Sequence, residues 1–353
     1  MNKYMRKDLQ FYQPYHSPIK PYEIKVDANE SPYAHHQAFI DHMYQWMQNK
    51  DNITRYPDTD ALLLRKRIAK HFNEFQIEAE NVLCGVGSDQ IIDIIIKVFV
   101  EPGETILVPT PSFSMYKLAG LLNHAYVYEY PLTDTFEYDI PRLLETIEIE
   151  APKLVFLCTP NNPTGGLLKR ESIIQVLEKA KCPVIIDEVY AEFSGETMLD
   201  LLDRYPHMII LRSFSKAYGL AGLRTGYAIA CKDMIDTLYV GKPPYNLSNY
   251  SQEASIFVLD HHSFYMEQVE AIKIEREKMK QALEALAIVE KVYDSDTNFL
   301  LIRVNRNGIQ QMLEKDSILI RDYPPTGNLA GCIRITIGTP QENQKILQKI
   351  REV

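Results

Sequence analysis

Apolar and polar positions along the chain follow two rhythms, and the change between them marks its main division. Between about residues 30 and 240, unbroken apolar runs alternate with longer amphipathic stretches, the pattern of a sheet covered by helices on both faces. Leu154-Val155-Phe156-Leu157-Cys158 and Val184-Ile185-Ile186 are apolar without alternation, which predicts central strands of a parallel sheet buried on both sides. Val82-Leu83-Cys84 predicts another strand, leading through Gly85 and Gly87 into Ile91-Ile92-Asp93-Ile94-Ile95-Ile96, a strongly apolar helix. Beyond Pro243-Pro244 the rhythm changes. An amphipathic pattern of mixed charge predicts a long helix over residues 268–287, leading into a small domain. Residues 317–323 and 332–338 run or alternate apolar and predict strands of that domain. Thr339-Pro340-Gln341-Glu342 is a capping box with proline at the first helical position, so a last helix is expected from there to the terminus. Residues 1–29, rich in Tyr and Pro and without a period, read as an arm. The expected fold is α/β: a large domain over residues 30–245 with a mostly parallel sheet covered by helices, then an interdomain helix and small α+β domain over residues 246–353.

Composition narrows the partners. With 353 residues, 46% of them hydrophobic, the chain can bury a large core divided between two unequal domains. A formal charge of −9 argues against nucleic acid or an anionic membrane as a general partner, so anionic ligands need local positive sites. The first residues lack an apolar signal core, and no stretch reaches ~20 uncharged apolar residues, which makes the cytoplasm the expected compartment. The five cysteines are widely separated and show no C-x-x-C spacing, so buried free thiols are expected. Neither His35-His36 nor His261-His262 has helical i, i+4 spacing, and no metal site is expected.

The chemistry concentrates in Ser213-Phe214-Ser215-Lys216-Ala217-Tyr218-Gly219-Leu220-Ala221-Gly222-Leu223-Arg224. A lysine there can hold an aldehyde as a Schiff base while Ser213, Ser215 and Arg224 hold a phosphate on the same molecule, a combination that suits pyridoxal phosphate. Asp187 falls at the carboxyl end of a strand, where open α/β sheets place their ligands. Its carboxylate can pair with a protonated pyridine nitrogen and keep the ring an electron sink; it can equally cap the following turn. Tyr190, three residues on, can donate to the ring's phenolate oxygen. Asn162 lies in a turn stiffened by two prolines and two glycines, which can hold its amide at a defined angle over a ring. Gly87, Ser88 and Asp89 sit where a strand turns into a helix, and free N–H groups there would bind an anion. Phe113 is either a ring-stacking residue or part of the core.

Together these segments resemble the fold type I pyridoxal phosphate aminotransferases, and within them the histidinol-phosphate aminotransferases. The resemblance runs nearly end to end: D-A-N-E at 27–30, R-Y-P-D at 55–58, G-V-G-S-D-Q at 85–90, P-N-N-P-T-G at 160–165, D-E-V-Y at 187–190, the lysine segment at 213–224, P-Y-N-L-S at 244–248 and I-R-I-T-I-G at 333–338. It implies pyridoxal 5'-phosphate as cofactor, bonded to Lys216, which also carries the proton between substrate and cofactor. Asp187 would hold the ring nitrogen, Asn162 and Tyr190 the phenolate oxygen, and Gly87, Ser88, Asp89, Ser213, Ser215 and Arg224 the phosphate. Tyr56 would reach that phosphate from a partner subunit, which implies a homodimer with shared sites.

The resemblance also implies the substrates, L-histidinol phosphate as amino donor and 2-oxoglutarate as acceptor. Arg321 and Arg334 would balance the donor's phosphate dianion where other aminotransferases clamp an α-carboxylate with one guanidinium. Tyr15, Asn29 and Asn162 would complete the substrate site. The arm reads Y-Q-P-Y-H-S-P where a glycine is expected after the proline, which leaves an aromatic amino acid aminotransferase or a threonine-phosphate decarboxylase as alternatives of the same fold.

Overall fold

The structure is a computed structural model and describes residues 4–10 and 20–352. Thirteen strands lie among the described residues: β1 (Ile24–Lys25), β2 (Val82–Val86), β3 (Thr105–Thr110), β4 (Tyr126–Pro131), β5 (Leu154–Cys158), β6 (Val184–Asp187), β7 (Met208–Ser213), β8 (Thr225–Ala230), β9 (Val289–Val292), β10 (Phe299–Val304), β11 (Ile318–Leu319), β12 (Arg321–Asp322) and β13 (Cys332–Thr336). Seven of them form one sheet in the order β2-β8-β7-β6-β5-β3-β4. Only β8 runs against the others, pairing antiparallel with both β2 and β7. The unbroken apolar runs explain why this sheet is central. In β5 and β6, Val155, Leu157, Val184 and Ile186 enter one hydrophobic cluster while Leu154, Phe156 and Ile185 enter another on the opposite face. Alternate side chains of a strand point to opposite faces, so a run apolar at every position buries both.

A second sheet, β12-β13-β10-β9, is antiparallel throughout. Two expectations need correction here. Residues 317–323 do not form one strand: β11 pairs in parallel with β1, then the chain passes Ile320 and pairs through β12 with β13. One apolar run is thus divided between two partners, since β1 occupies the edge that β11 would otherwise share. The long helix spans His262–Glu284, starting six residues earlier than expected, because Tyr265 is buried in the core and extends the apolar stripe toward the amino end. The last helix, Pro340–Arg351, starts where the capping box requires: Glu342 N donates to Thr339 Oγ1 and Thr339 N to Glu342 Oε2.

Residues 24–29 join the two sheets. Thr336 N donates to Val26 O and Val26 N to Leu319 O, tying this segment to the antiparallel sheet. Its next residues, Ala28 and Asn29, contact side chains carried beyond the carboxyl ends of the central strands.

Candidate active site

The carboxyl ends of β5 and β6 are level, with Cys158 opposite Asp187, while β7 runs two residues past Leu211, the partner of Asp187. Asp187 is almost fully buried. Its Oδ1 accepts from Val189 N at 3.1 Å, and its Oδ2 accepts from the Tyr116 hydroxyl at 2.5 Å. Burial pushes its pKa up to about 6, opposed by those two donors. No cation hydrogen-bonds to it or forms an ion pair with it among the described residues. An acid in this state suits a cationic partner from outside the protein.

Lys216 follows β7 on the loop, partly buried, with Nζ donating to Ala28 O at 3.2 Å. Burial first, and then the positive charges of Arg334 and Arg224, lower its pKa to about 8, against Glu30 and Asp89. Its Nζ lies 5.8 Å from the centroid of the Tyr190 ring. Around it runs a continuous network. Asn29 Nδ2 donates to the Tyr190 hydroxyl oxygen at 2.8 Å, which leaves the Tyr190 proton for another acceptor. Asn162 Oδ1 accepts from Arg334 Nη1 at 2.5 Å, so its Nδ2 likewise stays available. Arg334 is buried, donates from Nη2 to Asp27 O at 2.6 Å, and among the described residues has no hydrogen-bond partner at Nε. Asn29 itself is held by Thr336 Oγ1, which accepts from Asn29 N, and by Asn298 Nδ2, which donates to Asn29 O.

The remaining predicted positions form a cradle at the start of the Gly87–Phe99 helix. The Arg224 guanidinium lies across Gly87, donating from Nη2 to Asp89 Oδ2 at 2.9 Å. A Cβ at Gly87 would stand 2.5 Å from that Nη2, and the backbone there has φ +72°, so only glycine fits. Ser213 ends β7 and Ser215 lies on the loop after it, both buried, with Ser215 N donating to Ser213 Oγ at 3.1 Å. Helix N–H groups, a guanidinium and two hydroxyls form a donor set matched to a phosphate. With Lys216 for an aldehyde and Asp187 for a ring nitrogen, these residues fit pyridoxal phosphate.

Phe113 packs edge-on against Tyr116, ring centroids 5.6 Å apart. Arg321 is the Cα partner of Arg334 across β12 and β13, which puts both on the same face of that sheet. Tyr56 is exposed and stacks on Tyr245 at 4.6 Å. Tyr15 lies outside the described residues. Sequence reasoning missed Tyr116, Thr336 and Asn298. The first stands three residues after Phe113, so the pattern of the Pro111–Tyr116 segment was a usable signal.

A buried ion pair braces this site from behind. Arg212, next to Ser213 on β7, donates from Nε and Nη2 to Glu188 Oε2, the residue after Asp187 on β6. Arg212 also reaches Glu192 at 3.2 Å, and all three side chains are nearly inaccessible to solvent.

The profile for aminotransferase class I and II matches residues 22–350. A histidinol-phosphate aminotransferase of Ruminiclostridium cellulolyticum is 36% identical over 350 residues, covering 98% of this chain and 97% of that one. Among solved structures, the histidinol-phosphate aminotransferase of Clostridium acetobutylicum superposes with a TM-score of 0.84 at 25% identity, over 93% of this chain and 98% of that one. The Sinorhizobium meliloti histidinol-phosphate aminotransferase, in complex with pyridoxal-5'-phosphate, reaches a TM-score of 0.89 at 22% identity, over 100% of this chain and 98% of that one.

Proposed function

The chain belongs to the class I and II aminotransferases, and from that premise we propose that it moves the amino group of L-histidinol phosphate to 2-oxoglutarate, giving imidazole acetol phosphate and L-glutamate. Its cofactor is pyridoxal 5'-phosphate, and the reaction belongs to histidine biosynthesis. The observation that carries this reading is the hydrogen bond from Arg334 to Asn162, which joins an anion-binding guanidinium of the small sheet to a ring-holding amide of the large one.

When bound, pyridoxal phosphate supplies an aldehyde that takes up the amino group and a ring that accepts electrons from the substrate carbon. The chain's own residues do the rest. Lys216 Nζ, held near neutrality by burial, removes the proton from the carbon bearing the amine and returns it on the cofactor side. Asp187 supplies the negative charge that keeps the ring nitrogen protonated. Asn162 Nδ2 and the Tyr190 hydroxyl donate to the ring oxygen, since their other polar atoms are committed to Arg334 and Asn29. Gly87, Ser88, Asp89, Ser213, Ser215 and Arg224 hold the cofactor phosphate. Arg321 and Arg334 take the donor's phosphate, with Asn29 and Tyr15 beside them, and Phe113 covers the ring.

A homodimer completes the site in this reading. Tyr56 is exposed and stacks on Tyr245, and in this reading it serves a neighbouring copy. The cytoplasm remains the proposed compartment; among the described residues no helix is long and apolar enough to cross a membrane. With a net charge of −9, neither nucleic acid nor an anionic membrane is a proposed partner.

The test is to titrate the cofactor-loaded protein with L-histidinol phosphate, L-phenylalanine or L-threonine phosphate, without keto acid, following the visible absorbance. The expected result is loss of the lysine-bound cofactor band with histidinol phosphate, to the amino form. Conversion by phenylalanine alone, or release of carbon dioxide from threonine phosphate, would move the assignment to one of those activities.

A further inference from the structure

We propose that Tyr116 is a positioning residue for the cofactor's ring nitrogen: its hydroxyl holds the Asp187 carboxylate aimed and charged, and through it keeps that nitrogen protonated. The proposal rests on the reading of the site as a pyridoxal phosphate site. It concerns a residue on the Met115–Leu122 helix, outside the segments that carry the cofactor motifs.

The geometry leaves Tyr116 little freedom. Its side chain is fully buried and its ring stacks on Phe156, centroids 4.8 Å apart at 23°. Four residues on, a Cβ at Gly120 would meet Ile106 Cδ1 at 2.5 Å and Val127 Cγ2 at 2.8 Å. A helix at this closeness, with Gly120 and Tyr116 on one face, presses the phenol onto the sheet. From there the hydroxyl donates to Asp187 Oδ2 at 2.5 Å while the Val189 amide donates to Oδ1. Each carboxylate oxygen therefore has one protein donor and keeps a lone pair for the ring.

The surroundings make that one hydroxyl matter. Asp89 and Glu188 repel the Asp187 charge, and burial opposes it. The Cys158 thiol faces it across β5, and the phenols of Tyr138 and Tyr190 lie in the same electrostatic field. None of these supplies positive charge. Tyr116 cannot compete as an acid, because burial and the adjacent carboxylate raise its pKa well above that of an ordinary tyrosine. It therefore gives a hydrogen bond and keeps its proton. With the hydroxyl removed, the folded-state pKa of Asp187 rises further. A larger share of the protein then carries a neutral acid at neutral pH, and the ring N–H loses its partner as pH falls.

The experiment uses the full-length protein stripped of cofactor and titrated with pyridoxal 5'-phosphate at about pH 8.5 and about pH 6.5. A ring-15N-labelled cofactor is read by NMR in parallel. Tyr116→Phe is expected to raise the cofactor Kd on the order of tenfold at the lower pH and less at the higher, and to move the 15N signal toward neutral pyridine. Replacing Tyr116 by 3-fluorotyrosine, a stronger donor of nearly the same shape, is expected to lower the cofactor Kd at the lower pH below that of the unsubstituted protein and to keep the 15N signal at its protonated position. Equal weakening at both pH values with the 15N signal unmoved would reduce Tyr116 to packing and overturn the proposal, as would an unchanged Kd. Should the phenylalanine variant fail to fold, an indifferent fluorotyrosine protein overturns it equally. An unsubstituted protein that does not bind the cofactor would sink the reading of the site itself.

Discussion

Lys216 is a weaker base than an exposed lysine because the folded chain buries it and sets Arg334 and Arg224 within its field. Only the neutral amine attacks an aldehyde. The rate at which cofactor-free protein captures pyridoxal phosphate is therefore expected to rise with pH to a plateau, with its midpoint at about 8; a midpoint at the ordinary lysine value of 10.5 would contradict the arrangement. Stopped-flow absorbance measures this directly. Arg334 acts on the same amine and on the substrate. Arg334→Ala is expected to keep the visible band of the bound cofactor while kcat/KM for histidinol phosphate falls ~100-fold, the scale of losing one member of a buried charged hydrogen bond. Steady-state kinetics beside the absorption spectrum checks both halves. Residues such as Lys216, Asp187 and Asn162 are legible in the sequence because each stands in a short motif whose chemistry is local. Tyr116 and Asn298 are not, since their worth comes from acceptors 71 and 269 residues away, which only the packed chain brings near.

Among the elements, β6 and β7 carry most of the site, and the Arg212–Glu188 pair fastens them, Arg212 one residue before Ser213 and Glu188 one residue after Asp187. Glu188 accepts from Met198 N and Thr197 Oγ1 as well, so its carboxylate is saturated by donors. Glu188→Ala would leave Arg212 with Glu192 alone in a dry interior. It is expected to cost about 3 kcal/mol of stability, seen as a lower midpoint in denaturant unfolding, because Arg212 Nε and Nη2, Met198 N and Thr197 Oγ1 all lose their buried acceptor. The unbroken apolar runs made β5 and β6 readable from sequence. The charged pair just after them was not, because an arginine and a glutamate in adjacent buried strands contradict the pattern unless their pairing is known. The division of residues 317–323 between two sheets was hidden for a related reason: which neighbour a short apolar strand takes is decided by β1, nearly three hundred residues earlier, as the 294-residue span between Glu23 and Ser317 records.

At the scale of the whole molecule, the outer stripe of one helix carries large apolar side chains in the open. Ile40, Tyr44 and Met47 follow each other at helical spacing on the outer side of the Gln37–Met47 helix, and Ile53, Tyr56 and Tyr245 are exposed as well. Contiguous exposed apolar residues of this size mark an association surface. Under the proposed pairing of two copies, Tyr44→Glu is expected to give a monomer in sedimentation velocity and to weaken cofactor retention, because Tyr56 would lose the neighbour it serves. A variant that stays dimeric and holds cofactor as before would place the interface elsewhere. The segment at residues 24–29 has an effect on how the chain comes to its final form. Asn29 finds Thr336 across 307 residues, and Ala28 meets Lys216 across 188. During synthesis the first of these partners waits in an unfinished molecule until the last strand has left the ribosome, while the central sheet can already assemble. A nascent or prematurely stopped chain thus carries a sheet, a lysine and a phosphate cradle but lacks Arg334 and Thr336, which complete the polar lining around them.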